Sequence, residues 1–458
     1  METPETRYAT APDGAHIAYH VVGDGPIDLL HLHSMQGGLE ILWEQPRIRS
    51  ITEKLATFAR VIRHDIRGTG LSDRHTAFPD LETQARDISA VLDAIGSYSV
   101  VLFSPGHPVG PFFAAAHPTR TRALIYFDPT ARSIRTPDYP WGATQEEAIR
   151  EREAIVGTWG RDAFAGAMMA DVAPSLRGDR ETVKWYARLT RHWVAPGDAA
   201  ELMRQLHETD ILDVLPAIEV PTLCIARRFA EGTAEAEYVT SLIPDARLVV
   251  LEGGDRWSAA GDQDALVGAI RDFVGGGTLD VGDGAPGSRH TSPLRALLFT
   301  DIVDSSAHVE RLGDVAWAEL LARHNTTVRD LISEADGHVV DTAGDGFFAT
   351  FDGPARAVRC GRAIIDAVKL LGVEVRAGVH AGEIKFVEGK PGGIAVHVAA
   401  RVSSLAGPSE VLLTSTVKDL VAGSHLSFED AGAHELKGVS GDWHLYRLSG
   451  TSSSRGER

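Results

Sequence analysis

The sequence predicts two domains of different class: an α/β domain with a mostly parallel sheet and a helical lid, then a smaller α+β domain with a largely antiparallel sheet. Three observations carry this. Over residues 1–274 short apolar strands alternate with helical stretches, the rhythm of a layered α/β fold. At 275–292 the stretch GGGTLDVGDGAPGSRHTS loses all apolar periodicity and reads as a flexible linker. Beyond it, GHVVDTAGDGFFATF gives two strands around a tight Gly-Asp-Gly turn, a hairpin signal.

The elements of the first domain follow from runs of Val, Ile, Leu and Phe. IDLLHLH (27–33), RVIRHD (60–65), YSVVLFS (98–104), ALIYFD (123–128), TLCIA (222–226) and RLVVLE (247–252) are the expected strands. Between the second and third, Leu81, Ala85, Ile88, Leu92 and Ile95 share one face of a helix. The segment from about 140 to 215 is charged and helical, as a lid over a pocket would be. In the second domain, expected over 293–448, RALLFTD (295–301) is a strand and a helical region follows to about 335. After the hairpin come a helix (PARAVRCGRAIIDAVKLL), a strand (VEVRAGVHAG) and a further helix (AVHVAARVSSLA). Residues 449–458 are expected to form a disordered tail.

Composition narrows the function classes. At 458 residues the chain exceeds one ordinary domain, and 43% hydrophobic with 24% charged residues suits a globular protein. A formal net charge of −18 argues against nucleic acid as a partner, because phosphate binding needs clustered cations. The two cysteines, Cys224 and Cys360, are far apart, so neither a disulfide framework nor a cysteine zinc site is expected. METPETRYATAPDG lacks the basic start and apolar core of a signal peptide, and no apolar run is long enough to span a membrane. These features predict a soluble, cytoplasmic protein with no membrane insertion.

VIRHDIRGTGLSDR together with LFSPG gives the first domain a resemblance to the α/β-hydrolase family, over roughly residues 7–275. The resemblance sets Ser104 at the nucleophile position of a strand-to-helix elbow. Leu102 stands where a small residue usually lets that turn close. Pro105 follows, and proline has no N–H to donate to an oxyanion; such a donor is worth about 2.7–4 kcal/mol in the transition state. In LEGGDRW, Arg256 occupies the expected histidine position, and a guanidinium cannot serve as a general base. The acid position falls near Ala230 or Glu231, with Asp128 on another strand as an alternative; His31, His33 and His107 are the histidines near the expected pocket. Ser104, Pro105 and Arg256 thus describe a degenerate hydrolase site, which binds an unknown small ligand without cutting it.

The second domain holds the paired acids. Asp301 ends a strand and Asp345 sits at a hairpin tip; two such carboxylates with the Ile302 carbonyl make an oxygen site suited to Mg²⁺ or Mn²⁺. FTDIVDSS, GDGFFATF, VHVAAR and HELKGVSGDWHLYRL, in that order and spacing, resemble the class III nucleotidyl cyclase catalytic domain over about 293–448, a fold with a ferredoxin-like core. The resemblance implies two metal ions on Asp301 and Asp345, transition-state stabilisation by Arg401, and a triphosphate contact by Lys437. His397 stands where many relatives have asparagine. The resemblance also implies a homodimer whose shared interface completes each site.

At the base, Asp341 occupies the position of the family's adenine-reading lysine, and Lys390 that of its aspartate. The exchanged pair suits adenine or guanine. Together the two halves resemble bacterial hydrolase–cyclase fusions. The expected function is conversion of ATP, or GTP as the alternative substrate, to a 3′,5′-cyclic nucleotide and pyrophosphate, with the first domain as sensor or scaffold. The rival expectations are a guanylate or dual-specificity cyclase, an esterase-type hydrolase with a vestigial cyclase, and a non-enzymatic small-molecule receptor.

Overall fold

The computed structural model describes residues 2–32, 37–74, 78–228, 232–275, 293–387 and 390–451. They form two compact units, Met1–Arg289 and His290–Arg458. The predicted linker lies outside the described residues except for Gly275, which ends a helix.

The first unit is built on an eight-stranded sheet. Its strands are β1 (Arg7–Thr10), β2 (His16–Val22), β3 (Ile27–His31), β4 (Ala59–His64), β5 (Val100–Pro105), β6 (Thr121–Phe127), β7 (Thr222–Arg227) and β8 (Ala246–Leu251), in the order β1-β2-β4-β3-β5-β6-β7-β8. From β4 across to β8 all pairings are parallel, while the β1–β2 hairpin and its join to β4 are antiparallel. Parallel strands need helical crossovers, which cover both faces and bury the strands as continuous apolar runs. Thus β5 and β7 are buried along their whole length.

The helices are α1 (Leu39–Glu44), α2 (Pro46–Ala56), α3 (Leu81–Ala94), α4 (Val109–Ala116), α5 (Gln145–Thr158), α6 (Asp162–Val172), α7 (Arg180–Trp193), α8 (Pro196–Glu208), α9 (Gly232–Ser241) and α10 (Gln263–Gly275). Local chemistry starts several of them. Asp80 caps α3 by accepting from the Thr83 N–H, and Thr144 with Glu147 forms a capping box on α5. Helices α5 to α8 fall between β6 and β7, where the lid was expected. The IRGTGLSD stretch is fixed by charge: Arg67 donates to Asp87 at 3.0 Å and to Asp13 at 3.1 Å, and the carboxylate of Asp65 accepts from the N–H groups of Gly38, Leu39 and Leu71.

The second unit has a seven-stranded mixed sheet, β10-β11-β9-β12-β15-β17-β16, of β9 (Leu294–Ile302), β10 (His338–Ala343), β11 (Gly346–Phe351), β12 (Val375–Glu383), β15 (Val411–Thr414), β16 (Leu426–Glu435) and β17 (Asp442–Thr451). A separate small ribbon pairs β13 (Lys385–Val387) with β14 (Lys390–Gly392). Among the described residues of this sheet only β12–β15 is parallel, in keeping with the expected antiparallel bias. Its helices are α11 (Ser305–Leu312), α12 (Asp314–Glu334), α13 (Pro354–Lys369), α14 (Ile394–Leu405) and α15 (Ser415–Leu420). Helix α14 buries Ala395 and Ala399 against Leu297, Phe348 and Ile384, and its small residues let it approach the sheet closely. One boundary needs correction: β17 runs to Thr451, pairing Gly450 with Ser427, so residues 449–451 belong to the sheet rather than to the expected tail. Residues 452–458 lie outside the described residues.

Candidate functional site

In the first unit the elbow is set two residues later than the sequence predicts. Strand β5 does not stop at Ser104; Pro105 continues it, and the two stand opposite Tyr126 and Phe127. Ser104 is fully buried, and its hydroxyl donates to the His107 carbonyl at 2.9 Å beneath the start of α4. A Cβ on Gly110 would sit 2.4 Å from that oxygen, so the serine is sealed under the helix. The left-handed residue at the tip of the turn is Gly106, with φ 57, and Gly106 and Pro105 face the cavity while Ser104 does not. The expected reason for inactivity, a donor lost at Pro105, is therefore replaced by another. The tip carries no side chain at all.

That cavity, about 180 Å³, lies beside β4, β5 and β6 with Met168, Val172 and Tyr186 from the lid helices in its wall. Arg256 also faces it, and its Nε donates to Asp128 at 2.9 Å. The Asp128 carboxylate holds this guanidinium protonated beyond its ordinary range. Asp128 is thus the partner of an arginine, with φ 50 at the end of β6. His31 lines the cavity, and burial drives its pKa well below the usual value; His107 is buried too, with its pKa lowered to about 4. His33, Ala230 and Glu231 lie outside the described residues.

In the second unit, Asp301 and Asp345 come from neighbouring strands, β9 and the β10–β11 turn. Phe347 pairs with Thr300, and continuing that antiparallel register sets Gly346 beside Asp301 and Asp345 beside Ile302. Gly344, φ 66, takes the first position of the two-residue turn between Ala343 and Gly346, the place where a hairpin needs positive φ. Asp345 Oδ2 is buried and has no hydrogen-bond partner, a costly state for a carboxylate oxygen. Asp301 accepts from Arg376, at 3.2 Å from Nε and 2.5 Å from Nη2. Arg376 stands directly opposite Asp301 in the β9–β12 register.

Asp301, Asp341, Arg376 and the Phe299–Phe348 pair line one cavity of about 460 Å³. The two phenylalanine rings stack at 4.3 Å and 9° between planes, a flat apolar wall. Asp341 is exposed and accepts from the Thr342 N–H, beside an irregularity in the β10–β11 register. The Lys390 side chain lies outside the described residues, but the next residue, Pro391, lines the cavity.

His397 and Arg401, four apart on α14, are exposed, and the Arg401 Nε donates to the Lys437 carbonyl at 3.1 Å. Lys437 lines a separate open depression formed by residues 435–442. The walls of the Asp301 cavity include neither His397, Arg401 nor Lys437. The cavity thus holds Asp301 and Asp341, while α14 contributes Val396, Ala400, Ser403 and Ser404 to it rather than His397 or Arg401.

The sequence reading missed Arg376 and the phenylalanine wall. The signal for Arg376 was an arginine inside the otherwise apolar strand pattern VEVRAGVHAG.

Residues 291–450 match the family model described as the adenylate and guanylate cyclase catalytic domain. A Rhizobium meliloti protein named "Putative adenylate cyclase 3" is 29% identical over 171 residues, 35% of this chain and 29% of that protein. The Myxococcus xanthus serine/threonine-protein kinase pkn2 is 27% identical over 159 residues, 33% of this chain and 19% of that protein. The chain thus spans less than a third of either relative. An esterase from Exiguobacterium antarcticum, 20% identical with TM-score 0.51, covers 59% of this chain and 100% of its own, which shows the fold of the first unit. Among the described residues no helix is long and apolar enough to cross a membrane. Residues 291–450 are accordingly a class III adenylate and guanylate cyclase catalytic domain, preceded in the chain by a domain of α/β-hydrolase-like fold.

Proposed function

We propose that the protein is a nucleotidyl cyclase that forms 3′,5′-cyclic AMP and pyrophosphate from ATP in a homodimer, with the hydrolase-like domain binding a ligand without cutting it. The observation that carries this reading is Asp345: a buried carboxylate oxygen without a protein partner, next in register to Asp301, whose charge is met by Arg376. A cation fits such a pair. Two carboxylates with a main-chain carbonyl suit Mg²⁺ or Mn²⁺ completed by water and substrate phosphates. Asp301, Asp345 and the Ile302 carbonyl would hold two such ions, which neutralise triphosphate charge and activate the attacking oxygen.

The chain's own groups do the rest. The stacked Phe299 and Phe348 and the exposed Asp341 offer a purine an apolar surface and a polar edge. The ribose 3′-hydroxyl attacks the α-phosphate in line, and pyrophosphate leaves. Charge builds on the phosphate oxygens, and the cations Arg401 and Lys437 answer it, with His397 donating a hydrogen bond. None of these cations is among the residues that line the Asp301 cavity, which supports a second subunit bringing them to it. The same separation favours two equivalent sites per two-fold dimer. Asp341 also accepts well from the N1 and N2 hydrogens of guanine, so GTP is a second substrate at lower rate. In the first domain Gly106, Arg256 and the sealed Ser104 support binding without hydrolysis, as a sensor domain would.

The test is direct. Purified protein with Mn²⁺ and either ATP or GTP should yield the cyclic nucleotide and pyrophosphate, resolved by chromatography. No cyclic product from either nucleotide, with the dimer present, would overturn the reading.

A further inference from the structure

Helix α12 turns one narrow stripe to the interior, His324, Val328 and Ile332, each four positions from the next. Val328 and Ile332 are the aliphatic residues such a stripe calls for. His324 is a polar ring in the same place, and it is fully buried. It meets the ring of Phe347 edge-on, with centroids 5.9 Å apart and planes at 60°. Phe347 lies in β11, two residues after Asp345. Helix and hairpin thus bring an imidazole close to the turn that carries the acid. Burial lowers the His324 pKa, and Asn325 with the charge of Asp345 works against that pull.

The polar atoms of this pair do not balance within the protein. His324 Nδ1 lies 3.1 Å from the side-chain amide of Asn325. Nε2 finds no hydrogen-bond partner among the described residues, and neither does Asp345 Oδ2. Each is costly to leave so. A neutral imidazole has one N–H and two places to carry it. On Nδ1, it would leave Nε2 a bare lone pair near a carboxylate, acceptor against acceptor. On Nε2, with the Asn325 amide turned so that its NH₂ donates to Nδ1, both ring nitrogens are used and the acid is offered a donor. The two atoms are then complementary. They stand beyond direct bonding distance, and one buried water between them gives each a bond.

We infer that His324 is a positioning residue for Asp345, its Nε2 hydrogen fixing carboxylate Oδ2 through one buried water and leaving the other oxygen to face a cation. The inference rests on the reading of Asp345 as a metal-binding acid. Asp345 sits between Gly344 and Gly346 in a tight turn, where neither neighbouring side chain can hold it. A carboxylate that must meet a cation gains affinity when a group behind it sets its orientation. Asp301 has such a group in Arg376 of β12. His324 of α12 supplies the second.

An electron paramagnetic resonance titration of the full chain with Mn²⁺ tests this, with cyclase activity followed at rising Mn²⁺. His324→Phe keeps a ring and removes its nitrogens. It should weaken Mn²⁺ binding by about 10–100-fold, the usual cost of losing an outer partner of a metal ligand. Its activity should recover in part at high Mn²⁺, which damage to packing alone would not allow. His324→Gln, which restores an N–H near the same place, should lose less. Asp345→Ala is the reference. If it leaves Mn²⁺ binding unchanged, the metal reading of Asp345 fails and the inference falls with it. If it weakens binding while folded His324→Phe binds as the unmodified chain does, the positioning role alone is struck. Equal losses in His324→Gln and His324→Phe would strike it too. Imidazole nitrogen NMR of the unmodified chain decides even where His324→Phe does not fold. The signal that His324→Gln removes should carry its hydrogen on Nε2, and a hydrogen on Nδ1 would overturn the inference.

Discussion

Arg256 donates from Nε to the carboxylate of Asp128 at 2.9 Å, so the end of β6 and the loop after β8 are tied by an ion pair beside a cavity. In a working hydrolase of this fold a histidine would be expected near that place. Here an arginine–aspartate ion pair stands instead, and the turn tip is Gly106. Arg256, in the place of that histidine, cannot take a proton from a nucleophile.

The first prediction follows from this geometry. The protein should not turn over short nitrophenyl esters above a Ser104→Ala control, and a fluorophosphonate probe should leave Ser104 unlabelled. Gly106→Ser should behave differently. A Cβ there would come no nearer than 3.6 Å, to the Asp128 carbonyl, so space is available. The left-handed backbone costs a side chain roughly 1–2 kcal/mol. Combined with Arg256→His, that variant should become labelled at residue 106, read by peptide mass. Labelling at Ser104 in the unmodified protein would reverse the assignment of the elbow.

A second prediction concerns the divided cyclase site. Asp301→Ala, Asp345→Ala and Arg401→Ala should each lower cyclase activity by on the order of 10²-fold or more, the scale of losing a group that stabilises transition-state charge. The two aspartate variants should also weaken Mn²⁺ binding in an electron paramagnetic resonance titration, and Arg401→Ala should not. Mixing Asp301→Ala with Arg401→Ala chains should restore about a quarter of the activity, since half the two-fold dimers are mixed and each keeps one intact site. With subunit exchange demonstrated, absence of rescue would rule out a shared site.

The third prediction is acid lability of the first domain. His20, His64 and His107 each have a pKa lowered to about 4, and His31 lies well below its usual range, all through burial. A histidine depressed in the folded state binds its proton more readily when unfolded. Its contribution is intact above pH 6.5 and is lost as pH falls from there towards 4, at about 1.4 kcal/mol per pH unit for each group. Asp65 acts in the opposite sense. Burial raises its pKa to about 6, so below that pH the folded carboxyl takes up a proton first and offsets one of the four. The second domain has His380, lowered to about 3, and His324, lowered by burial. Six of the eight tryptophans precede residue 275, so tryptophan fluorescence during heating reports the first domain. Its Tm should fall steeply between pH 6.5 and 4.5, and a flat profile would contradict the neutral buried histidines.

What the sequence made legible was mostly local. Alternating strands and helices, the GDG turn and the two acids could be read because each is a pattern within ten residues or so. Arg376 could not be assigned, since its relation to Asp301 arises from β9–β12 pairing between residues 75 positions apart. The elbow was misread by two residues for a related reason. Pro105 looks like the end of a strand, because proline gives no ladder hydrogen bond, yet pairing with β6 carries the strand through it. Arg63 lies inside the expected strand RVIRHD, and it is the packing of α2 and the lid that makes it part of a cavity wall.

The last prediction concerns the purine. Asp341 lines the same cavity as Asp301, exposed, in the strand that leads to the Gly344–Asp345 turn. An acceptor there can take a hydrogen from the adenine amino group or from N1 and N2 of guanine, and an exposed one discriminates weakly because water competes for it. Selective recognition through buried hydrogen bonds gives ratios of order 10⁴. The kcat/KM ratio for ATP over GTP should therefore fall far below that figure, while still favouring ATP. Asp341→Ala should raise KM for both nucleotides, and more for GTP, which offers the carboxylate two donors. Asp341→Lys should shift the ratio further towards ATP. A ratio of order 10⁴ in the unmodified enzyme that Asp341→Ala leaves unchanged would remove Asp341 from base recognition and require other groups of the cavity, Ser403 and Ser404 on α14 among them, to read the base.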